Sequence, residues 1–332
     1  MFSHIYIEEQ VREHPRTRAI CARFPKAAHI TCRHYGEVFN PRSQNFRLQK
    51  PRPALILARK HKRRVLPTPD GYGIGGSRNY YFSHMLNCLY DCRYCFLQGM
   101  YRSAHYVLFV NYEDFESDMD CILAENSNAP AWFFSGYDCD SLALEPVSGF
   151  AAHFLPFFEK RPDACIELRS KSTQVRGLLK REPLANAVIA FSFTPEEIYQ
   201  ALEHKVPAID RRLDAMAQLQ EAGWSLGLRF DPLIYVEGYR ELYRRLFQQT
   251  FSRLDAARLH SVSLGPFRLP RTFYKTIVQL YPDEPLYAGP LADTQGMVSY
   301  RAGLENELTG FCTEELLKHV PEALLFPCQV AA

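Results

Sequence analysis

From residue 80 onward, short β-rich apolar runs alternate with stretches of helical periodicity. The apolar runs predict strands over residues 80–85, 131–135, 165–169, 187–193, 225–230 and 260–264. Between them the pattern predicts a helix starting in the run 88–95 and a second over 112–124. Further helices are predicted over 147–160, 173–181, 194–222 (broken at Pro207) and 238–254. Six strand–helix units in succession imply a parallel sheet with right-handed crossovers. Such a sheet is either open and doubly wound or curled into a barrel. Polar residues gather where the strands end: Ser135-Gly136, Ser170-Lys171-Ser172, Ser192, Asp231 and Arg268. In a barrel those ends meet at one mouth, where sites are built. The expected fold is therefore α/β, a partial (β/α)6 TIM-like barrel over 80–264. Residues 1–79, rich in Arg, His and Pro, form an N-terminal layer. Residues 265–332 form a C-terminal extension on the substrate side, with a weakly amphipathic helix over 313–319.

Composition narrows this picture only a little. The chain has 332 residues, 47% of them hydrophobic, enough for one large core. No apolar run reaches the roughly 18 residues of a membrane span. The opening segment lacks the apolar region of a signal peptide. A net charge of +2 leaves any nucleic-acid contact to a local patch. Ten cysteines without a leader point to a reducing cytoplasm rather than a disulfide framework. Cys121, Cys165, Cys312 and Cys328 stand singly among apolar residues and read as small buried hydrophobes.

Three other cysteines carry chemistry. Cys88, Cys92 and Cys95 are spaced C-x3-C-x2-C, with Tyr94 before the third. A tight loop with this spacing can place three thiolates on three irons of a 4Fe–4S cluster and leave the fourth iron open. A structural zinc site would use paired C-x2-C units, and no second pair is present. The run Gly71-Tyr-Gly73-Ile-Gly75-Gly76 fits G-x-G-x-x-G, but a strand follows it where a dinucleotide site needs a helix, so a turn or hinge is the reading. Residues 59–64 are the densest basic run, with Tyr72, Tyr80 and Tyr81 after it. It reads either as a phosphate-binding patch with stacking rings or as a solvated face. Arg229 and Asp231 share one face at the end of the fifth strand, as a structural pair or as a carboxylate orienting a ligand.

The run CLYDCRYC resembles the signature of the radical S-adenosylmethionine superfamily. The stretches NYYFSHMLNCLYDCRYCFLQGMY, IELRSKST, IAFSFTPEEI, VPAIDRRLDAM and GWSLGLRFDPLIYVEGYRELYRRLF resemble its spore photoproduct lyase branch. The resemblance implies a 4Fe–4S cluster held by Cys88, Cys92 and Cys95, with S-adenosylmethionine on the open iron. It implies an adenine-side aromatic at Tyr94, cofactor contacts at Lys171 and Ser192, and Ser135-Gly136 facing the methionine group. It also implies a damaged nucleic acid as substrate and a low-potential electron donor of flavodoxin or ferredoxin type.

Two positions depart from that pattern. An ungapped match puts Tyr137 where the branch carries a hydrogen-donating cysteine, with Cys139 two residues later on the same strand face. Phe96 replaces a tyrosine after the third cluster cysteine, so a two-tyrosine relay through Tyr94 cannot run. Both changes fall on the return of hydrogen to the product, for which Cys139 is the candidate donor, with a cofactor-side or structural thiol as the equal alternative. The leading reading is a cytoplasmic, monomeric lyase acting on a thymine photoproduct-like DNA lesion. The alternatives are a radical enzyme for another nucleotide or small molecule, and a non-catalytic iron–sulfur protein that binds nucleic acid.

Overall fold

The structure, a computed structural model, describes residues 2–42, 44–125 and 129–328. Six parallel strands lie side by side in chain order: β1 Arg78–Phe82, β2 Ala131–Ser135, β3 Ala164–Ser170, β4 Ala187–Ser192, β5 Ser225–Leu233 and β6 Leu259–Pro266. Val65–Pro67 adds an antiparallel edge beside β1, and Leu325–Pro327 a parallel edge beside β6. The helices cross over outside: α1 Tyr112–Glu125, α2 Phe150–Glu159, α3 Ile209–Glu221, α4 Tyr239–Phe251 and, after β6, α5 Ala302–Leu316.

Side chains from distant strands meet, and this requires the sheet to curl. Arg229 of β5 reaches past β4 to Glu167 of β3 at 2.7 Å, and to Ser261 Oγ of β6 at 2.9 Å. Trp132 of β2 lies 5.2 Å, ring to ring, from His260 of β6. The two edges also approach, with the Phe326 ring 3.4 Å from where a Cβ on Gly75 would lie. The result is a partial barrel whose interior is filled by side chains, in the manner of (β/α) barrels. Gly227 leaves the space for this filling, because a Cβ there would fall 2.6 Å from an Arg229 guanidinium nitrogen. The outer face packs on the helices, for example Phe133 on Phe158.

A second sheet stands beside the barrel. Its order is Ala28–Cys32, His4–Glu8, Leu55–Ala58, Tyr106–Phe109 and Met85–Leu86. The first four strands are parallel and the last is antiparallel. The chain thus leaves the barrel after β1 and enters this sheet at Met85, where a single strand over 80–85 was expected. Among the described residues, no helix is long and apolar enough to cross a membrane.

Four expected helices differ. The one expected to start in the run 88–95 begins only after it, at Leu97, and spans Leu97–Met100. Residues 173–181 keep one 3-10 turn, Leu178–Lys180. The Ser170 and Ser172 hydroxyls accept the amides of Ser172 and Gln174 (2.8 and 3.1 Å), and such local bonds compete with a helix. The stretch 194–222 splits into Glu196–Leu202, a bridge strand Glu203–His204 and α3. In the C-terminal extension the helix expected over 313–319 starts earlier, at Ala302, and a further amphipathic helix spans Arg271–Leu280.

Candidate active site

The C-terminal ends of the barrel strands, the loop after Leu86 and the C-terminal segment enclose one cavity of about 540 Å³. Its wall contains Cys88, Cys92, Cys95, Tyr94, Ser135, Gly136, Cys139, Lys171, Ser192 and Asp231. The sequence had placed these ten residues on five separate segments, and the fold brings all of them to one surface.

The thiol loop is clamped from several sides. Lys50, buried, donates from Nζ to the carbonyls of Cys88 and Tyr90, both at 3.1 Å. Cys92 pairs with Glu203 in a two-residue antiparallel ladder, and the Arg93 amide donates to Leu202 O at 2.8 Å. Gln98 donates to Cys92 O and Asp91 Oδ1, and is itself held by the Tyr281 hydroxyl at 2.9 Å. Tyr287 donates to Arg93 O. A loop tied at so many backbone atoms presents its thiols in fixed positions.

The donor set fits a cluster better than a single ion. Among the described residues, no three His, Cys, Asp or Glu side chains converge on one point that could hold a metal ion. The three thiols all line the cavity wall, and their C-x3-C-x2-C spacing on one tight loop is the kind that serves three irons of a cubane. Backbone amides of Tyr90 and Leu97 donate to the Cys88 and Cys95 sulfurs. Burial pushes the Cys88 thiol up to about 12 and raises Cys92 and Cys95 as well. These groups ionise only against an added positive charge, which bound iron provides.

Around the thiols lies a buried polar hub centred on Glu203. Its carboxylate accepts from the Tyr94 hydroxyl and from Thr194 Oγ1 (3.0 Å), and faces Lys171 Nζ at 3.2 Å and Arg212 Nη2 at 3.1 Å. Burial alone would raise its pKa, but the two cations hold it below the usual range. Tyr94 is thus fixed by its hydroxyl, with Lys171 Nζ 5.6 Å from its ring centroid. Asp140 is a second hub. It accepts the Lys171 amide and the Ser170 hydroxyl, both at 2.7 Å, and the amides of Leu142 and Ala143. This joins the turn after β2 to the end of β3. Gly136 sits in that turn at φ +83°, and a Cβ there would meet Ser141 Oγ at 2.7 Å. The Ser135 hydroxyl donates to Glu167 O at 2.8 Å.

The mouth is aromatic. Tyr137, about one third exposed, lies on Tyr81 at 4.5 Å and near Phe96 at 5.5 Å, and Phe96 stacks on Phe273. Cys139 is buried, its sulfur 3.8 Å from His84 Nδ1 and in contact with the Met85 amide. Asp231 does not pair with Arg229, which is committed to Glu167, and its carboxylate lies beside the Cys328 thiol. Cys328 also takes a hydrogen bond from Arg268 Nη2 at 2.9 Å. It lines the cavity, so its reading as a buried hydrophobe is corrected. Cys121 is corrected too, because it lies exposed on α1.

The other sequence candidates resolve simply. In the basic run, Arg59 pairs with Asp114 and Arg64 with Asp118, while His61, Lys62 and Arg63 stay exposed. Tyr80 stacks on Phe133 away from the cavity, while Tyr81 and Tyr72, the latter edge-on against Phe134, both line it. The glycine run is the connection of the hairpin between Val65–Pro67 and β1. Lys50 and Glu203 were missed because nothing in their local sequence marks them, and only tertiary contacts do.

A family model described as spore photoproduct lyase matches residues 74–289. The spore photoproduct lyase of Bacillus subtilis (strain 168) is 22% identical over 209 residues, 62% of this chain and 61% of that protein. That of Geobacillus sp. (strain Y412MC61) is 22% identical over 198 residues, 59% of this chain and 58% of that protein. The matched region therefore spans about three fifths of these relatives' length. Among solved structures, a spore photoproduct lyase mutant with bound AdoMet and dinucleoside spore photoproduct superposes with a TM-score of 0.86 at 17% identity, covering 100% of this chain and 99% of that one. A spore photoproduct lyase complexed with dinucleoside spore photoproduct gives 0.84 at 18% identity, with 99% and 98% covered. At these identities the likeness establishes the fold.

Proposed function

Because the chain belongs to the spore photoproduct lyase family, we propose that it is a radical S-adenosylmethionine lyase that returns a thymine photoproduct-like lesion in DNA to its bases. The observation that carries this reading is the convergence of the three loop thiols and the polar strand ends on one cavity. Cys88, Cys92 and Cys95 would hold three irons of a 4Fe–4S cluster. When bound, the reduced cluster and S-adenosylmethionine supply a 5′-deoxyadenosyl radical that removes a hydrogen atom from the lesion.

The residues of the chain bind, orient and exclude water. Lys171 offers a cation to the methionine carboxylate, and Ser135, Gly136 and Ser192 line the wall beside it. Tyr94, held by Glu203, offers its ring to the adenine. Tyr81, Tyr137 and Phe273 provide apolar faces for a base, while Arg268 and Asp231 provide a cation and an acceptor for its polar edges. A duplex substrate must present the lesion extruded, which costs less for a damaged base than for a sound one. Cys139, the candidate hydrogen donor from the sequence, lines the cavity but directs its thiol at His84.

A second reading, a different nucleotide or small-molecule substrate, is favoured by Phe96, which removes a hydroxyl, and by Tyr137, which adds a ring to the mouth where the family pattern has a thiol. The setting we propose is a monomer in a reducing cytoplasm, where none of the ten cysteines is drawn into a disulfide and a flavodoxin or ferredoxin type donor supplies the electron. The test is anaerobic reconstitution with iron, sulfide, dithionite and S-adenosylmethionine, followed by addition of ultraviolet-damaged DNA. 5′-Deoxyadenosine together with restored thymine is expected. 5′-Deoxyadenosine without repair of any photoproduct would select the second reading.

A further inference from the structure

Return of a hydrogen atom to the product needs an X–H group on the cavity wall, and the two family positions for this step hold Phe96 and Tyr137. Of the thiols on the wall, three belong to the loop. Cys139 is under 10% exposed, packs in the apolar core of the second sheet, and lies against His84. The remaining thiol is Cys328. The edge strand Leu325–Pro327 carries it to the end of β6, where its amide donates to Leu264 O at 2.8 Å. Its carbonyl and sulfur both accept from the Arg268 guanidinium, at 2.8 and 2.9 Å, and the Asp231 carboxylate lies beside the thiol. All three residues line the cavity. The curl of the barrel brings this edge round to the segment before β1, where Phe326 meets Gly75. Cys328 lines the same cavity as the three loop thiols, so a substrate that fills it is walled by both.

We propose that Cys328 is the hydrogen-atom donor to the carbon radical that remains on the product, with Arg268 and Asp231 as its positioning residues; this rests on the lesion-repair reading above. The Cys328 S–H bond breaks homolytically and a product C–H bond forms, so the hydrogen leaves with one electron and the sulfur becomes a thiyl radical. One electron from the low-potential donor that serves the cluster, and one proton from water, restore the thiol. Each product molecule then accompanies one 5′-deoxyadenosine. Burial, with Asp231 adding to it, pushes this thiol up to about 11, so it keeps its hydrogen at neutral pH. A thiolate would have none to give.

The experiment compares wild type, Cys328→Ala, Cys328→Ser and Cys139→Ala, reconstituted and turned over in D2O with dinucleoside spore photoproduct. The thiol hydrogen exchanges with solvent, so wild-type thymine should carry one solvent deuterium. Both Cys328 variants should still make 5′-deoxyadenosine, which shows that they fold and load. Their labelled thymine per 5′-deoxyadenosine should fall at least ten-fold, whereas Cys139→Ala should match wild type. In cluster-free protein, the same dinucleoside should protect Cys328 from maleimide, read by peptide mass. Repair with undiminished label in Cys328→Ala, loss of label in Cys139→Ala instead, or no protection overturns the assignment alone. A wild-type enzyme that forms 5′-deoxyadenosine but no thymine overturns the lesion-repair reading and the assignment with it.

Discussion

The Glu203 carboxylate is where the cofactor side of the cavity is held together. It is fully buried and sits between two cations, Lys171 and Arg212, while the Tyr94 and Thr194 hydroxyls donate to it. Its removal would strand both cations in a low-dielectric interior, and breaking a buried pair in this way costs about 3–5 kcal/mol. Glu203→Gln keeps the shape and one acceptor oxygen but loses the charge. It should lower the urea midpoint and release Lys171 and the Tyr94 ring from their fixed positions. The expected functional result is weaker S-adenosylmethionine binding by equilibrium dialysis, with the visible spectrum of the reconstituted cluster unchanged. An unchanged affinity alongside lower stability would reduce Glu203 to a purely structural role.

At the level of elements, the strands were legible and several helices were not. Apolar β-rich runs bounded by polar strand ends mark β2 to β6 within one to three residues, because burial on both faces leaves few alternatives. The region 173–181 misled because its periodicity outweighed two serine hydroxyls that capture backbone amides. Part of β1's predicted span belongs to another sheet, and no local pattern records which sheet a strand will join. The site was legible where chemistry is written as spacing, at Cys88, Cys92 and Cys95, and where polar residues end strands. It was illegible where a distant segment supplies the contact. Lys50 is the clearest case, since it lies 38 residues from the carbonyl it holds. Lys50→Met keeps most of the buried stem but deletes both hydrogen bonds to the loop. Slower cluster uptake on reconstitution and a lower iron content per chain are expected, with the fold intact by circular dichroism. Iron content equal to wild type would show that the remaining clamps suffice.

For the whole molecule, the buried polar groups set how it meets acid. His84 is buried, stacked on Phe150 at 3.8 Å, and burial, with Lys60 nearby, lowers its pKa from 6.5 to about 3. Above about 6.5 the ring is neutral in both folded and unfolded chains, and its contribution is complete. As the pH falls from 6.5 towards 3, the unfolded chain takes up a proton that the folded one refuses. Stability then falls by about 1.4 kcal/mol per pH unit for that one site. Glu167 acts in a lower window. Burial would raise it, but Arg229 and Arg169 hold it at about 2 against an ordinary 4.5, so its contribution is lost only as the pH drops from 4.5 towards 2. The molecule should therefore lose stability in two stages, histidine first and the barrel-interior carboxylate second. His84→Phe retains a ring to stack on Phe150 and removes the titration. Its urea midpoint should change less than wild type's between pH 7 and 5, with the two curves parallel only below about pH 3. His105, His153 and His260 are lowered in the same direction, so the upper stage should shrink in the variant rather than vanish. An upper stage of undiminished slope would mean that the folded protein protonates His84 and that its burial does not set the acid response.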